Sequence, residues 1–260
     1  VPPLLEVSGL TKVFGGVKAV DGVTFVVAEG AVSALIGPNG AGKTTLFNLI
    51  TGLAKASTGA VVVGGRDVTG LSPHRLAALG VRRSFQNLRL CRGMTALENV
   101  MVGAHLRLRG GMLAGMTRLP GLVRADRACA DEARALIAFV GLERYAATDV
   151  AQMPFGAQKL LEIARALAGQ PRLLLLDEPA AGLNQSERVA LQDLIARVAM
   201  NGRTVLLVEH DMRLVMSLAN HVVVLANGRK LAEGTPAEVR RNPAVIAAYL
   251  GTSTAEAVLA

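Results

Sequence analysis

Three short apolar runs punctuate the chain: AVSALI at 31–36, LLLL within RLLLLDE at 172–178, and TVLLV within RTVLLVEHD at 203–211. None alternates with period two, so they predict strands buried on both faces, as in a parallel sheet. The stretch VTFVVAEGAVSALI (23–36) predicts strands flanking that core. AVVVGGRDV (60–68) and HVVVLANGRKLAEG (221–234) predict hairpins, the second turning at Asn227-Gly228. Helical periodicity marks KTTLFNLIT (43–51), ALENVMVGAHLRLR (96–109) and RADRACADEARALIAFVGL (124–142), with Gly141 placed to end the last. In MPFGAQKLLEIARAL (153–167), Leu160, Leu161, Ile163, Ala164 and Leu167 recur at helical spacing, with Lys159, Glu162 and Arg165 between them. GGMLAGMTRLPG (110–121) predicts a loop, TPAEVRRNPAVIAAYLG a short helical tail, and TSTAEAVLA a weakly tied terminus.

The character changes between about 88 and 152, where helical periodicity replaces strand pattern, so an inserted helical lobe is expected. The domain reading is one domain over 1–260. Within it, 1–87 and 160–240 make the core with its β-rich part, 88–159 the helical lobe including the segment at 153–158, and 241–260 a C-terminal helix and tail. No internal repeat or low-complexity segment interrupts this plan.

Composition adds limits. At 260 residues and 51% hydrophobic, the chain is long enough to bury a sizeable core. No apolar run approaches the roughly 18 residues a membrane span needs. The start, VPPLLEVSGL, lacks the basic region and apolar core of a secretion signal. Cys91 and Cys129 have neither metal-ligand spacing nor a disulfide framework, so a reduced, cytoplasmic protein is expected. The net charge of +8 admits a nucleic acid, an anionic membrane face, a polyphosphate ligand, or simply an Ala- and Arg-rich composition. With 3% aromatic residues and no tryptophan, stacking platforms for single strands are not expected.

The sharpest chemistry lies in GPNGAGKT, 37–44. Gly37, Gly40 and Gly42 allow backbone amides to turn inward around phosphate oxygens. The helix starting near Lys43 points its positive end at the same anion. Lys43 can reach β- and γ-phosphates, and Thr44 offers a hydroxyl to Mg2+. A strand before and a helix after supply the context the motif needs. Asp177 and Glu178 close an apolar strand, where ligands of open α/β sheets gather. Alternation along the strand separates their jobs, Asp177 as metal partner and Glu178 as general base. Gln86, in RRSFQN, has an amide suited to Mg2+ or the attacking water. His210, after TVLLVE, can hold a γ-phosphate or orient water, although a lone histidine at a strand end is more often structural. Phe14 can stack on an adenine; taken singly, a phenylalanine in an N-terminal strand is more often core.

Taken in order, Phe14, GPNGAGKT, Gln86, MPFGAQKLLEIARAL, LLLLDEP, AAGLN and VEHD resemble an ABC transporter ATP-binding subunit over nearly the whole chain. TTLFNLITG, RSFQNLRL, MTALENV, DEPAAGLN, EHDMRLVM and GTPAEVRRNPAVIAAYLG resemble the LivG-like ATPases of branched-chain amino-acid importers; urea and amide importers look similar. The resemblance implies an α/β fold: a P-loop NTPase (RecA-like) core, an antiparallel β subdomain and an inserted α-helical subdomain. It implies ATP hydrolysis with ATP and Mg2+, and a head-to-tail dimer with a sister or identical subunit. Transmembrane permeases and, indirectly, a periplasmic solute-binding protein are the implied partners, at the cytoplasmic face of the membrane. No nucleic acid is expected, although a soluble nucleic-acid ATPase and a lipid or polysaccharide exporter are the competing functions.

By the same resemblance, Phe14 stacks on adenine, and Gly37, Asn39, Gly40, Ala41, Gly42, Lys43, Thr44 and Thr45 bind ATP. Thr44, Gln86 and Asp177 surround Mg2+, Glu178 activates water, and His210 is the switch residue. Met153, Pro154, Phe155, Gly156, Ala157 and Gln158 fill the signature segment, usually L-S-G-G-Q, which faces the nucleotide of the opposing subunit. Gly182, Leu183 and Asn184 form the interface loop, where Asn184 replaces the usual Asp and keeps a hydrogen-bonding role only. Residues 87–105, with Leu88, Leu90 and Met94, are expected to contribute a groove for a permease coupling helix.

Overall fold

Among the described residues, three β-hairpins and five parallel strands organise the chain. The structure, a computed structural model, describes residues 2–84, 90–104 and 120–250, with side chains omitted at 120–125 and 250. Along the chain the strands are β1 (Pro3–Phe14), β2 (Val17–Ala28), β3 (Val32–Ile36), β4 (Thr58–Val63), β5 (Arg66–Asp67), β6 (Val81–Arg83), β7 (Leu173–Asp177), β8 (Thr204–Val208), β9 (His221–Ala226) and β10 (Arg229–Gly234). One sheet is antiparallel, in the order β2-β1-β4-β5. The other has the order β10-β9-β3-β8-β7-β6, parallel except for β10.

The three apolar runs are adjacent central strands of that second sheet, and every residue of β3, β7 and β8 is buried. Burial on both faces explains their lack of alternation. The β9–β10 hairpin turns at Asn227-Gly228, with φ of 49° and 77°; positive φ at both positions matches the twist of the flanking strands.

The chain divides into two compact units, Val1–Arg83 with Arg172–Ala260, and Ser84–Pro171. The boundary expected at 159/160 would cut the helix Phe155–Ala168, whose internal hydrogen bonds keep it whole in the second unit. In the first unit both sheets share one core. Leu46, Phe47 and Ile50 of the helix Lys43–Ile50 are buried in one cluster with Leu5, Val20 and Phe25 of the antiparallel sheet and Leu175, Leu206 and Val223 of the parallel one. The antiparallel sheet is therefore part of the same packing unit as the core.

In the second unit the helices Ala96–Gly103, Pro120–Phe139 and Phe155–Ala168 pack on one another. Gly103 lets two of them touch: a Cβ there would meet the Arg165 carbonyl oxygen at 2.0 Å. Asn99, fully buried, accepts the Cys91 N–H at 2.7 Å and donates to the carbonyls of Cys91 and Thr95 at 3.1 and 3.0 Å, pinning the turn before its helix. Gly141, at φ +74°, follows the helix that ends at Phe139. That helix already begins at Pro120, inside the expected 110–121 loop; proline tolerates the first helical position because its missing N–H has no partner there. Residues 105–119 lie outside the described residues.

The face expected to be polar on Phe155–Ala168 is also buried. Lys159 is 5% and Glu162 2% exposed, with Arg165 3.9 Å from Glu162 and the Lys159 ammonium 5.7 Å from the centre of the Phe155 ring. The predicted C-terminal helix is two, Pro236–Arg241 and Pro243–Leu250. Pro243 pushes Asn242 out of the helical region, to ψ 117°. Gln185–Met200, a helix the periodicity argument does not assign, begins at a capping box between Asn184 and Glu187.

Candidate functional site

Residues 37–42 leave β3 and enter the helix Lys43–Ile50 through a backbone that needs glycine at three places, for different reasons. Gly40 is at φ +78° with open space around a would-be Cβ, so conformation alone requires it. Gly37 and Gly42 lie at φ +151° and +98°, and a Cβ would meet the Leu225 oxygen at 2.2 Å and the Ala19 oxygen at 2.4 Å. The loop is thus wedged between β9 and β2, and its amides face a cavity of about 470 Å³. That cavity is lined by Val17, Lys18, Ala19, Asn39, Gly40, Ala41, Gly42, Lys43, Thr44, Thr45, Glu178, Asn227 and Gly228.

Lys43 is buried, and its ammonium donates to the carbonyls of Gly37 at 2.6 Å and Pro38 at 3.0 Å. Burial pulls its pKa down, and the carboxylates of Glu178 and Asp177 oppose the shift. The net shift is downward, so burial outweighs the pull of the two carboxylates.

Asp177 ends β7, 2% exposed, with its Oδ2 accepting from Arg83 at 2.5 Å. Glu178 follows at φ +46°, an uncommon conformation for a non-glycine residue, held by its N–H donating to the Val208 carbonyl at 2.9 Å. This turn sends the Glu178 side chain into the cavity while Asp177 stays buried behind it.

The expected residues do not all gather at this cavity. Phe14 is not core: it is 53% exposed at the end of β1, paired across the hairpin with Val17, and the Lys12 ammonium sits 4.8 Å above its ring. His210, its side chain 64% exposed, lines a different cleft with Gln185, Arg188 and Asp211. Gln86 lies outside the described residues, as does Leu88; Leu90 is half-buried and Met94 39% exposed. Asn184 is the cap of Gln185–Met200: its Oδ1 accepts from the Glu187 N–H at 3.0 Å and the Ser186 hydroxyl at 2.8 Å. Gly182 (φ +79°) and buried Leu183 complete the turn before it.

In the second unit, the helix of MPFGAQKLLEIARAL starts at Phe155, with Pro154 as its cap at φ −55° and ψ 149° and no side-chain capping bond. The first helical bond runs from the Gln158 N–H to the Pro154 carbonyl at 3.0 Å, so the N–H groups of Phe155, Gly156 and Ala157 precede the ladder. The Gln158 side chain folds back, donating to the Met153 carbonyl at 2.8 Å.

Three features carry no signal in a motif reading. Gly228, the hairpin turn, donates to the Ala41 carbonyl at 3.1 Å and accepts from the Asp21 N–H at 2.8 Å, clamping the phosphate loop to β2. Arg83 and Glu209 are buried charged groups whose partners are distant in sequence. Their nearness to GPNGAGKT and LLLLDE is visible only once the strands are ordered.

Residues 20–181 match the family model described as ABC transporter. This chain belongs to the ABC transporter ATP-binding family. As an ABC ATPase subunit, it also matches, over residues 229–255, a model described as branched-chain amino acid ATP-binding cassette transporter. It is 47% identical to the high-affinity branched-chain amino acid transport ATP-binding protein BraF of Pseudomonas aeruginosa, over 96% of this chain and 98% of that protein. It is 44% identical to LivG of Salmonella typhimurium over the same shares. Among solved structures, the ADP conformation of an ATP-binding cassette superposes with a TM-score of 0.82 at 30% identity, covering 96% of this chain and 100% of that one. A dimeric cassette in a post-hydrolysis state, bound to ADP and Pi, superposes with a TM-score of 0.75 at 26% identity, covering 89% and 98%. The expected α/β core with antiparallel β and helical parts is thus the ABC ATPase fold.

Proposed function

We propose that this ABC ATPase subunit powers an importer of branched-chain amino acids. It would work on the cytoplasmic face of the membrane with permease subunits, a second ATP-binding subunit and, indirectly, a periplasmic solute-binding protein. One observation carries the nucleotide chemistry: Asn39–Thr45 and Glu178, far apart in sequence, line a single cavity. The solute class is supported by the 47% identity to BraF and the match at 229–255. Among the described residues, no helix is long and apolar enough to cross a membrane, so the pathway for a solute would belong to other subunits.

In this reading the amides of Gly40–Thr45 and the Lys43 ammonium grip the phosphates, and Phe14 stacks on the adenine. The Thr44 hydroxyl, the Gln86 amide and the Asp177 carboxylate would hold Mg2+; these are the hard oxygen donors it takes, with substrate phosphates completing the set. When bound, the ion supplies neutralisation of phosphate charge. Glu178, whose carboxylate borders the cavity, takes the proton of the attacking water. His210 steadies the terminal phosphate. Residues 153–158 offer the N–H groups of Phe155–Ala157 to the nucleotide of the opposing subunit, and Gly182–Asn184 cross the dimer interface.

The test is reconstitution with candidate permease and partner ATPase subunits. ATP-dependent leucine uptake into proteoliposomes is expected. Urea or amide uptake instead would move the solute class, and tight DNA binding with a steep salt slope would replace transport by nucleic-acid work.

A further inference from the structure

Glu209 is a fully buried carboxylate just past the end of β8, and the roles proposed above leave it without a task. Its two oxygens serve two different loops. Oε1 accepts the N–H of Ala180 at 2.9 Å, in the run 178–184 that follows β7. Oε2 accepts the N–H of His210 at 3.1 Å and lies 3.5 Å from the N–H of Asp211. The preceding residue, Val208, accepts the Glu178 N–H at 2.9 Å. The two loops are thereby joined at two successive residues of one strand end. A second link follows from Arg188, which donates to the Asp211 carboxylate at 2.7 Å.

A buried carboxylate is costly to keep unless its hydrogen bonds matter. Here a neutral amide cannot replace it. Glutamine has one acceptor oxygen, and its NH2 would face the other loop's N–H, donor against donor. Aspartate, one methylene shorter, cannot span both loops.

We propose that Glu209 is a positioning residue that locks the Glu178 loop to the His210 loop, so that the general base and the switch histidine move as one body during the ATP cycle. This rests on the reading of Glu178 and His210 given above. The strut itself does not depend on it.

The experiment compares wild type with Glu209→Gln and Glu209→Asp as full chains. Backbone amide exchange is measured at Ala180 and His210, alongside the thermal midpoint and the kcat and KM of ATP hydrolysis. In both variants, exchange at Ala180 or His210 should rise by about tenfold, the factor for losing one net hydrogen bond. Exchange at Val205–Leu207 should hold, and the midpoint should not fall. In Glu209→Gln, kcat should fall by about tenfold with KM within about twofold, the mark of an interaction used in the reaction rather than in binding. Unchanged exchange at both amides overturns the strut. Exchange rising throughout β8 with a fallen midpoint reduces Glu209 to a packing residue and also overturns it. Faster exchange with wild-type kcat overturns the positioning role. Wild-type protein that hydrolyses no ATP defeats the functional reading, while the amide result still judges the strut.

Discussion

Arg83 and Asp177 form a buried ion pair, Nη2 to Oδ2 at 2.5 Å, at the ends of two neighbouring parallel strands. The same guanidinium donates to Asn48 at 2.7 Å and Thr51 at 3.1 Å, at the far end of the helix that the phosphate loop opens. One side chain thus fixes the strand end carrying the proposed metal ligand to that helix. Removing one member of a buried pair leaves the other charge uncompensated, which costs about 3–5 kcal/mol. Arg83→Ala should lose that much stability in urea unfolding; a loss below about 1 kcal/mol would mean the pair holds little together.

Glu178→Gln keeps size and hydrogen-bonding reach but cannot accept a proton. ATP binding should survive, and hydrolysis should slow by about 10²–10⁴-fold, the scale of a lost general base. Single-turnover hydrolysis at the wild-type rate would remove Glu178 from that role.

Lys43→Ala should act on binding itself. The buried Lys43 ammonium lines the phosphate-loop cavity, as Lys18 also does, and a hydrogen bond to a charged group is worth about 1.5–3 kcal/mol. ATP affinity measured by calorimetry should fall by about one to two decades. Unchanged affinity would contradict the assignment.

Glu209 makes a signed prediction for pH. Burial raises its native pKa above the ordinary 4.5. Between 4.5 and that raised value the folded chain binds more proton than the unfolded one. Stability from this group is therefore fully present below 4.5 and is lost as pH rises through the native pKa. Urea midpoints should show wild type losing ground to Glu209→Gln across that window and then running parallel. A constant difference at all pH values would show that Glu209 is ionised alike in both states.

Pro154→Ser restores a hydroxyl at the cap of the helix starting at Phe155. If that hydroxyl meets the opposing subunit's nucleotide, ATP-driven dimerisation should strengthen by about tenfold or more. If it only caps its own helix, stability should rise by about 1 kcal/mol with dimerisation unchanged. Gel filtration with ATP in the Glu178→Gln background, beside thermal midpoints, separates the two.

Much of the site is legible in the sequence because it is local. GPNGAGKT needs only a strand before it and a helix after it, and the run LLLLDE carries both its burial and its acidic end within six residues. The resemblance to an ABC ATPase adds the order of the motifs. What stays hidden is what depends on which strands become neighbours. Asn227-Gly228 reads as a hairpin turn and proves also to clamp the phosphate loop through Ala41. Asn184 reads as a departure from a motif and proves to be a helix cap. Lys159 and Glu162 read as a polar face and prove buried, because helical spacing reports one apolar face and not how many neighbours a helix has.

By itself the sequence determined the elements and the local chemistry: three two-sided strands, the glycine loop before Lys43, and the acidic exit of β7. Only the tertiary structure decided their company. The order β9-β3-β8-β7-β6 places the Leu225 carbonyl against Gly37, Arg83 beside Asp177, and Glu209 between the Glu178 and His210 loops, and the packing of β2 from the antiparallel sheet brings the Ala19 carbonyl against Gly42. The physical reason is that period and propensity act along the chain, whereas burial forces charged side chains and backbone groups to find partners wherever packing brings them.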